Sequence, residues 1–208
     1  MDQGEETPAY QGLVDRIRAC TLCAADFAAT ATAHTPRPVV WFAPTARILI
    51  AGQAPGARVQ ASGTPFTDPS GDRLRDWLGM DEATFYDQSR VAIVPMAFCF
   101  PGYDAKGRDL PPPARCATAW RKAVMAHLPH LQLVLAVGGA AQSWHLQTRN
   151  VTRTVAGWRD WRDKTGVWPL PHPSWRNTGW IGKNPWFTAE LLPELRACLR
   201  QVMKGPEG

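Results

Sequence analysis

Ile48-Leu49-Ile50-Ala51-Gly52-Gln53-Ala54-Pro55-Gly56 (residues 48–56) is the stretch that decides how this chain folds. A short unbroken apolar run bounded by Gly fits a strand buried on both faces. The Gly- and Pro-punctuated turn behind it is what a backbone uses to bend sharply or to approach a ligand closely. A second stretch has the same construction. Val167-Trp168-Pro169-Leu170-Pro171 leads into His172-Pro173-Ser174-Trp175-Arg176-Asn177. In an open parallel sheet the strand carboxyl ends share one edge, and ligands bind there. The two turns therefore read as halves of one site. His172 is suited to donate a hydrogen bond to a developing charge.

Working outward, strands are expected at 47–51, 90–96, 131–137 and 167–170, the third stopped by Gly138-Gly139. Helices are expected at 15–22, from an N-cap at Ser70 to Gly79, at 114–128, and from Gly139 to about 146. A last helix opens at Asn184-Pro185 and runs to about 203. Residues 24–45 are Ala-, Thr- and Pro-rich and read as an irregular crossing. Alternation of strands and helices predicts an α/β fold, three-layer α/β/α around a central four-stranded parallel sheet. The 208 residues are expected to form a single domain, 1–208, with 1–12 and 205–208 flexible. Residues 102–113 form a long Gly- and Pro-rich loop, a length that is usually functional or tied down.

Net charge is +5, which suits a polyanionic partner such as nucleic acid, although a basic protein without one remains an alternative. No apolar stretch approaches the ~20 residues that span a bilayer. The N-terminus is acidic and lacks an apolar secretory core, so a cytoplasmic location is expected. Five cysteines include Cys20-x-x-Cys23 and the pair Cys99 and Cys116 around the long loop. Four thiolates can hold an iron–sulfur cluster or zinc; unligated thiols are the third reading. Cys198 reads as a small buried hydrophobe.

The order of motifs is strand, Gly52-Gln53-Ala54-Pro55-Gly56, then Gly63-Thr64-Pro65-Phe66, then a helix after Ser70-Gly71, then His172-Pro173-Ser174. This resembles the uracil-DNA glycosylase superfamily, and most closely its iron–sulfur branch. The resemblance implies a DNA base-excision enzyme acting on uracil or another modified base. Such an enzyme extrudes the base into a pocket. It implies that Phe66 stacks on the base, with Gly52, Pro55 and Met96 beside it. It implies that His172 hydrogen-bonds the departing base and that the turn at Gln53 and Ala54 positions water. Ser62, Ser174, Arg176, Asn177, Trp180 and Lys183 are the implied DNA contacts, with Trp180 or Ile181 as the wedge that fills the gap left by the base. Cys20, Cys23, Cys99 and Cys116 match the order that holds a [4Fe–4S] cluster in that branch.

Two departures matter. Many members carry a carboxylate in the first motif, where this chain has Gln53 and Ala54; the nearest acid is Asp68. Asp68 either orients water or caps the following helix. Several branches end the second strand with a base-reading Asn, where this chain has Pro95, which has no N–H donor. That leaves the preferred base open. It also leaves two alternatives, a non-catalytic nucleic-acid or damage-sensing module and a small-phosphate enzyme built on the Gly52 turn.

Overall fold

The computed structural model describes residues 3–204. The 48–56 stretch does form a strand and turn. β1 (Ile48–Ala51) lies in one sheet with β2 (Val91–Ile93), β3 (Leu133–Val137) and β4 (Val167–Leu170), in the order β2-β1-β3-β4, all parallel. Ile50 pairs with Ile93, Ala51 with Ala136 and Val137 with Leu170. Side chains alternate between the faces of a sheet. Ile48 and Ile50 therefore enter one core, and Leu49 and Ala51 enter the other. Both faces are covered, which is why the strands are apolar without alternation.

The helices are α1 (Gln3–Arg18), α2 (Ala24–Ala28), α3 (Ala57–Ser62), α4 (Pro69–Leu78), α5 (Glu82–Tyr86), α6 (Ala114–Ala126), α7 (Gly139–Leu146), α8 (Val151–Ala156), α9 (Trp158–Thr165), α10 (Thr178–Lys183) and α11 (Leu192–Lys204). One layer sets Leu74 and Trp77 of α4, Trp158 of α9, and Leu195 and Leu199 of α11 against the sheet. The other sets Leu13 and Ile17 of α1, Val124 of α6 and Ala141 of α7 against the opposite face. This is the expected three-layer α/β/α architecture. Buried Leu or Ile side chains contribute about 1.5–3 kcal/mol each, so the two cores dominate the fold's stability.

Several boundaries differ from the sequence reading. α1 starts at Gln3 and ends at Arg18 rather than covering 15–22, because Leu13, Val14 and Ile17 are buried and Tyr10 Oη donates to Phe42 O. Residues 3–12, expected to be flexible, are thus helical, while 1–2 and 205–208 lie outside the described residues. Residues 24–45 contain the short α2, and Trp41 bridges to Ile93. The cap of α4 is Asp68 rather than Ser70, with Pro69 taking the first helical position. The polar α8 and α9 and the Gly-containing α10 were not expected. The final helix is preceded by a π-turn at Phe187–Leu191.

Arg121 of α6 is 2% exposed and carries no carboxylate partner among the described residues. Its guanidinium donates to Val94 O at 2.6 Å and to His145 Nε2 at 2.6 Å. It ties the end of β2 to α6 and α7. Burial lowers its pKa to about 10.

Candidate active site

The strand order changes direction between β1 and β3, which opens a crevice at their carboxyl ends. Gly52 follows β1, Gly138 follows β3 and His172 follows β4, so three turns meet there. The fit is close. A Cβ built on Gly138, whose φ is +81°, would lie 3.5 Å from His172 Cβ and 3.6 Å from Gln53 Oε1. A Cβ on Gly52 would lie 3.7 Å from Phe66 Cζ and 4.0 Å from Pro95 Cβ. Phe66 therefore lies against Gly52, and His172 and Gln53 both border Gly138. The turn itself is fastened to the end of β2, since Met96 N–H donates to Gly52 O at 3.0 Å and Ala97 N–H to Gln53 O at 3.1 Å.

Phe66 is half-buried and has φ +55°, a left-handed conformation that costs a residue with a side chain about 1–3 kcal/mol. The surroundings hold it there. Tyr86 Oη donates to Phe66 O at 3.1 Å, and the ring meets Phe85 edge-on at 6.0 Å. Gly71 packs so tightly under the same carbonyl that a Cβ would lie 1.8 Å from Phe66 O. The ring is thereby held firmly against Gly52 at the carboxyl end of β1.

His172 is fixed as a particular tautomer. Ser174 N–H donates to His172 Nδ1 at 3.2 Å, so in the neutral ring the proton sits on Nε2. Burial lowers the pKa of His172, opposed by the negative charges of Asp68 and Asp109, so the ring stays neutral at pH 7. The backbone is pinned as well. Asn177 Nδ2 donates to His172 O at 2.7 Å, and Arg73 Nη1 donates to Ser174 O at 3.0 Å. An open cleft of about 270 Å³, bordered by Gly138, Gly139, Thr152, Asn177 and Trp180, runs along the imidazole.

The other expected residues divide. Gln53 and Ala54 are half-buried in the crevice, Pro55 is buried beneath it, and the Gln53 side chain makes no hydrogen bond among the described residues. Met96 is buried in the second core, so only its backbone reaches the turn. Asp68 Oδ1 accepts from Gly71 N–H at 3.2 Å, which gives it the capping role. Ser62 Oγ is tied to Thr67 Oγ1 at 3.0 Å and to Val59 O, and Asn177 is committed to His172. Arg176 and Lys183 are exposed. Trp180 is no free wedge. Its indole N–H donates to Thr152 Oγ1 at 2.8 Å and its ring packs edge-on against Trp186 and Phe187. Ile181 is packed against the core. Trp175, on a 3-10 turn directly after Ser174, is instead 76% exposed, with the Arg176 guanidinium 6.0 Å from its ring centroid.

Sequence reasoning did not assign Arg73, Tyr86 or Gly138 to the site. The Gly138-Gly139 doublet between strand and helix was the one available signal, read only as a strand stop.

Cys20, Cys23, Cys99 and Cys116 line one apolar pocket with Phe27, Pro38, Phe98 and Trp120. All are free thiols. Phe98 N–H donates to Cys116 Sγ at 3.4 Å. Burial pushes the Cys99 thiol up to about 12 and the Cys116 thiol up to about 11, and the neighbouring cysteines add to both shifts. Among the described residues no three His, Cys, Asp or Glu side chains converge tightly enough to grip one ion. No helix among them is long and apolar enough to cross a membrane.

A parallel α/β/α sheet with an aromatic ring and a neutral imidazole at its switch point belongs to the class of folds that bind a planar ligand at the strand carboxyl ends. The family model for the uracil DNA glycosylase superfamily matches residues 39–196. The chain belongs to that superfamily, which carries DNA as the partner and glycosylase-type hydrolysis as the class of function.

Proposed function

We propose that this protein is a monofunctional DNA glycosylase that hydrolyses the N-glycosidic bond of uracil, or of another deaminated base, in base-excision repair. The observation that carries the reading is that Phe66 lies against Gly52 while neutral His172 and Gln53 both border Gly138, at the carboxyl ends of neighbouring strands. An extruded base stacks on Phe66, a contact worth about 1–3 kcal/mol. Bond cleavage leaves negative charge on the base and positive charge on the sugar. The His172 Nε2–H is held ready for the base oxygen that gains charge, in a buried setting where such a donor acts strongly. Gln53 and Ala54 lie where water approaches the sugar. Arg176, Lys183 and Ser174 face the DNA backbone, and Trp175 takes the wedge role.

The proposal includes a [4Fe–4S] cluster held by Cys20, Cys23, Cys99 and Cys116. The shared apolar pocket supports it. Four thiols at one pocket are a donor set that a cluster would use. Cys20, Cys23, Cys99 and Cys116 would hold the cluster, which would cross-link their segments and take no part in base release.

The test is base release from oligonucleotides carrying uracil, hypoxanthine or xanthine, single- and double-stranded. His172→Ala is expected to slow release by about 100- to 1,000-fold while DNA affinity stays within a few-fold. A protein that binds DNA and releases none of these bases is a binding module instead.

A further inference from the structure

The two halves of the crevice stand on strands that do not touch. Phe66 lies against Gly52 after β1, His172 follows β4, and β3 runs between those strands. At the usual strand spacing β1 and β4 are about 9.5 Å apart, so no direct pairing between them fixes the separation of ring and imidazole. Each half is firm within itself. Phe66 leads through the Asp68 cap into α4, and Gly71 of that helix packs under the Phe66 carbonyl. On the other side Ser174 O accepts from Asn177 N–H at 3.1 Å, and the Asn177 side chain returns to His172 O. One side chain joins the halves. Arg73 of α4 donates from Nη1 to Ser174 O at 3.0 Å and to Thr178 Oγ1 at 3.2 Å. Among the described residues these are the only hydrogen bonds between 62–79 and 171–184. Ser174 precedes the 3-10 turn at Trp175–Asn177 and Thr178 opens α10, so the guanidinium holds both ends of that turn. Arg75, two positions further on, is committed elsewhere, to Asp72 and to Tyr86 Oη. Residues two apart on a helix do not face the same way.

We infer that Arg73 is a positioning residue for base release. It clamps the His172 turn to the helix that follows Phe66, and so sets the gap between the ring that stacks on the base and the Nε2–H that meets the base oxygen. The inference rests on the glycosylase reading above. A guanidinium suits the task because its N–H groups point in fixed directions, so two acceptors bound to one nitrogen are held at a set angle. The gap matters because a donor stabilises developing charge only at about 2.7–3.1 Å. A misplacement of about 1 Å, even from a change away from the reacting atoms, costs about 100-fold in rate. Arg73 touches neither base nor sugar; its effect passes through His172.

The experiment uses the full chain and single-turnover release of uracil from a single-stranded oligonucleotide, with DNA affinity measured on each variant. Arg73→Ala is expected to slow release about 10- to 100-fold at saturating DNA, with the dissociation constant within about threefold. Thr178→Val removes one acceptor and leaves Arg73 in place, and is expected to slow release about 3- to 10-fold. The deciding measurement is a double-mutant cycle. In a His172→Ala background, Arg73→Ala is expected to slow release by less than about threefold, because the donor it positions is already gone. Losses that multiply in the double variant overturn the assignment, as does release by Arg73→Ala within about threefold of the parent. A DNA affinity that falls as far as the rate marks a phosphate contact and overturns it as well. A parent protein that releases no base from any of the three modified oligonucleotides overturns the glycosylase reading itself. Normal parent activity with an unimpaired Arg73→Ala overturns only the role of Arg73.

Discussion

Gly71→Ala puts a methyl group where there is no space for one. The new Cβ would lie 1.8 Å from Phe66 O, 2.7 Å from Phe66 C and 2.9 Å from Phe66 Cβ. Carbon and carbonyl oxygen settle at roughly 3.3 Å, so about 1.5 Å of relative movement is required. Backbone on both sides must give, since none of the three contacts is the flexible end of a side chain. Overpacking of this kind costs about 1–3 kcal/mol. Shifting Phe66 O also breaks the hydrogen bond from Tyr86, a further loss of about 1 kcal/mol. A destabilisation of about 2–4 kcal/mol is expected in urea denaturation. The functional effect follows from the same movement. A ring displaced by more than 1 Å no longer stacks on the base, and single-turnover release is expected to fall about 100-fold. Gly56→Ala is the control, because no atom lies within 4 Å of its Cβ and its φ is −83°. It is expected to change stability by less than about 0.5 kcal/mol. Gly71→Ala with stability within about 0.5 kcal/mol of the parent would falsify the argument that this glycine sets the conformation of Phe66.

Trp175→Ala removes a side chain that is 76% exposed, so melting is expected to hold while DNA affinity falls about 5- to 150-fold, the equivalent of one lost stacking contact. An unchanged dissociation constant would return the wedge to the Trp180 segment. His145 provides an acid-sensitive element. Its pKa is lowered to about 4, first by burial and then by Arg121, against 6.5 for the free side chain. The unfolded chain therefore takes up this proton first as pH drops, so the stability is whole above about 6.5 and is lost on acidification toward 4. Between pH 7 and 4.5 this group alone is expected to remove about 2–3 kcal/mol. His145→Gln, which keeps an acceptor for Arg121, is expected to lose that much less than the parent over the same interval. Parallel acid profiles for the two proteins would refute the assignment.

The strands were legible because burial on both faces leaves an uninterrupted apolar run, and all four fall within the expected ranges. α8 and α9 were not, since they are short and bury only Thr154, Val155 and Trp158 among small and charged residues, too few to set a helical period. Pro69 moved the α4 cap two residues upstream, a local effect that Ser70 as the nearest capping residue obscured. The turns that carry Gln53 and His172 were legible from motif order, and their meeting at one sheet edge required only the parallel sheet. The hairpin at residues 102–110 was not legible. It depends on the packing of Gly102 on Thr30, a contact between segments more than seventy residues apart in sequence. The difference between Trp175 and Trp180 is also tertiary, because it turns on which indole finds Thr152.

The cysteine pocket gains a mechanical meaning from the same hairpin. Cys99 and Cys116 bracket residues 102–110, and Phe27 packs with Cys23 and Cys99 beneath its root. A cluster held by those two thiolates would close a loop of about fifteen residues, a constraint that would remove about 3 kcal/mol of entropy from the unfolded chain on a chain-entropy account. Cys99→Ser is therefore expected to lower stability by about that amount and to abolish the visible absorbance of the purified protein. It is also expected to free the hairpin. Lys106 and Arg108 are exposed at its tip, and trypsin is expected to cut there several-fold faster once the root is released. Proteolysis separates this account from a general loss of fold, because cleavage confined to 106–108 reports on the hairpin while the core remains protected. A Cys99→Ser protein that keeps its absorbance and resists trypsin at these two residues would show that the four thiols neither hold the cluster nor brace the hairpin.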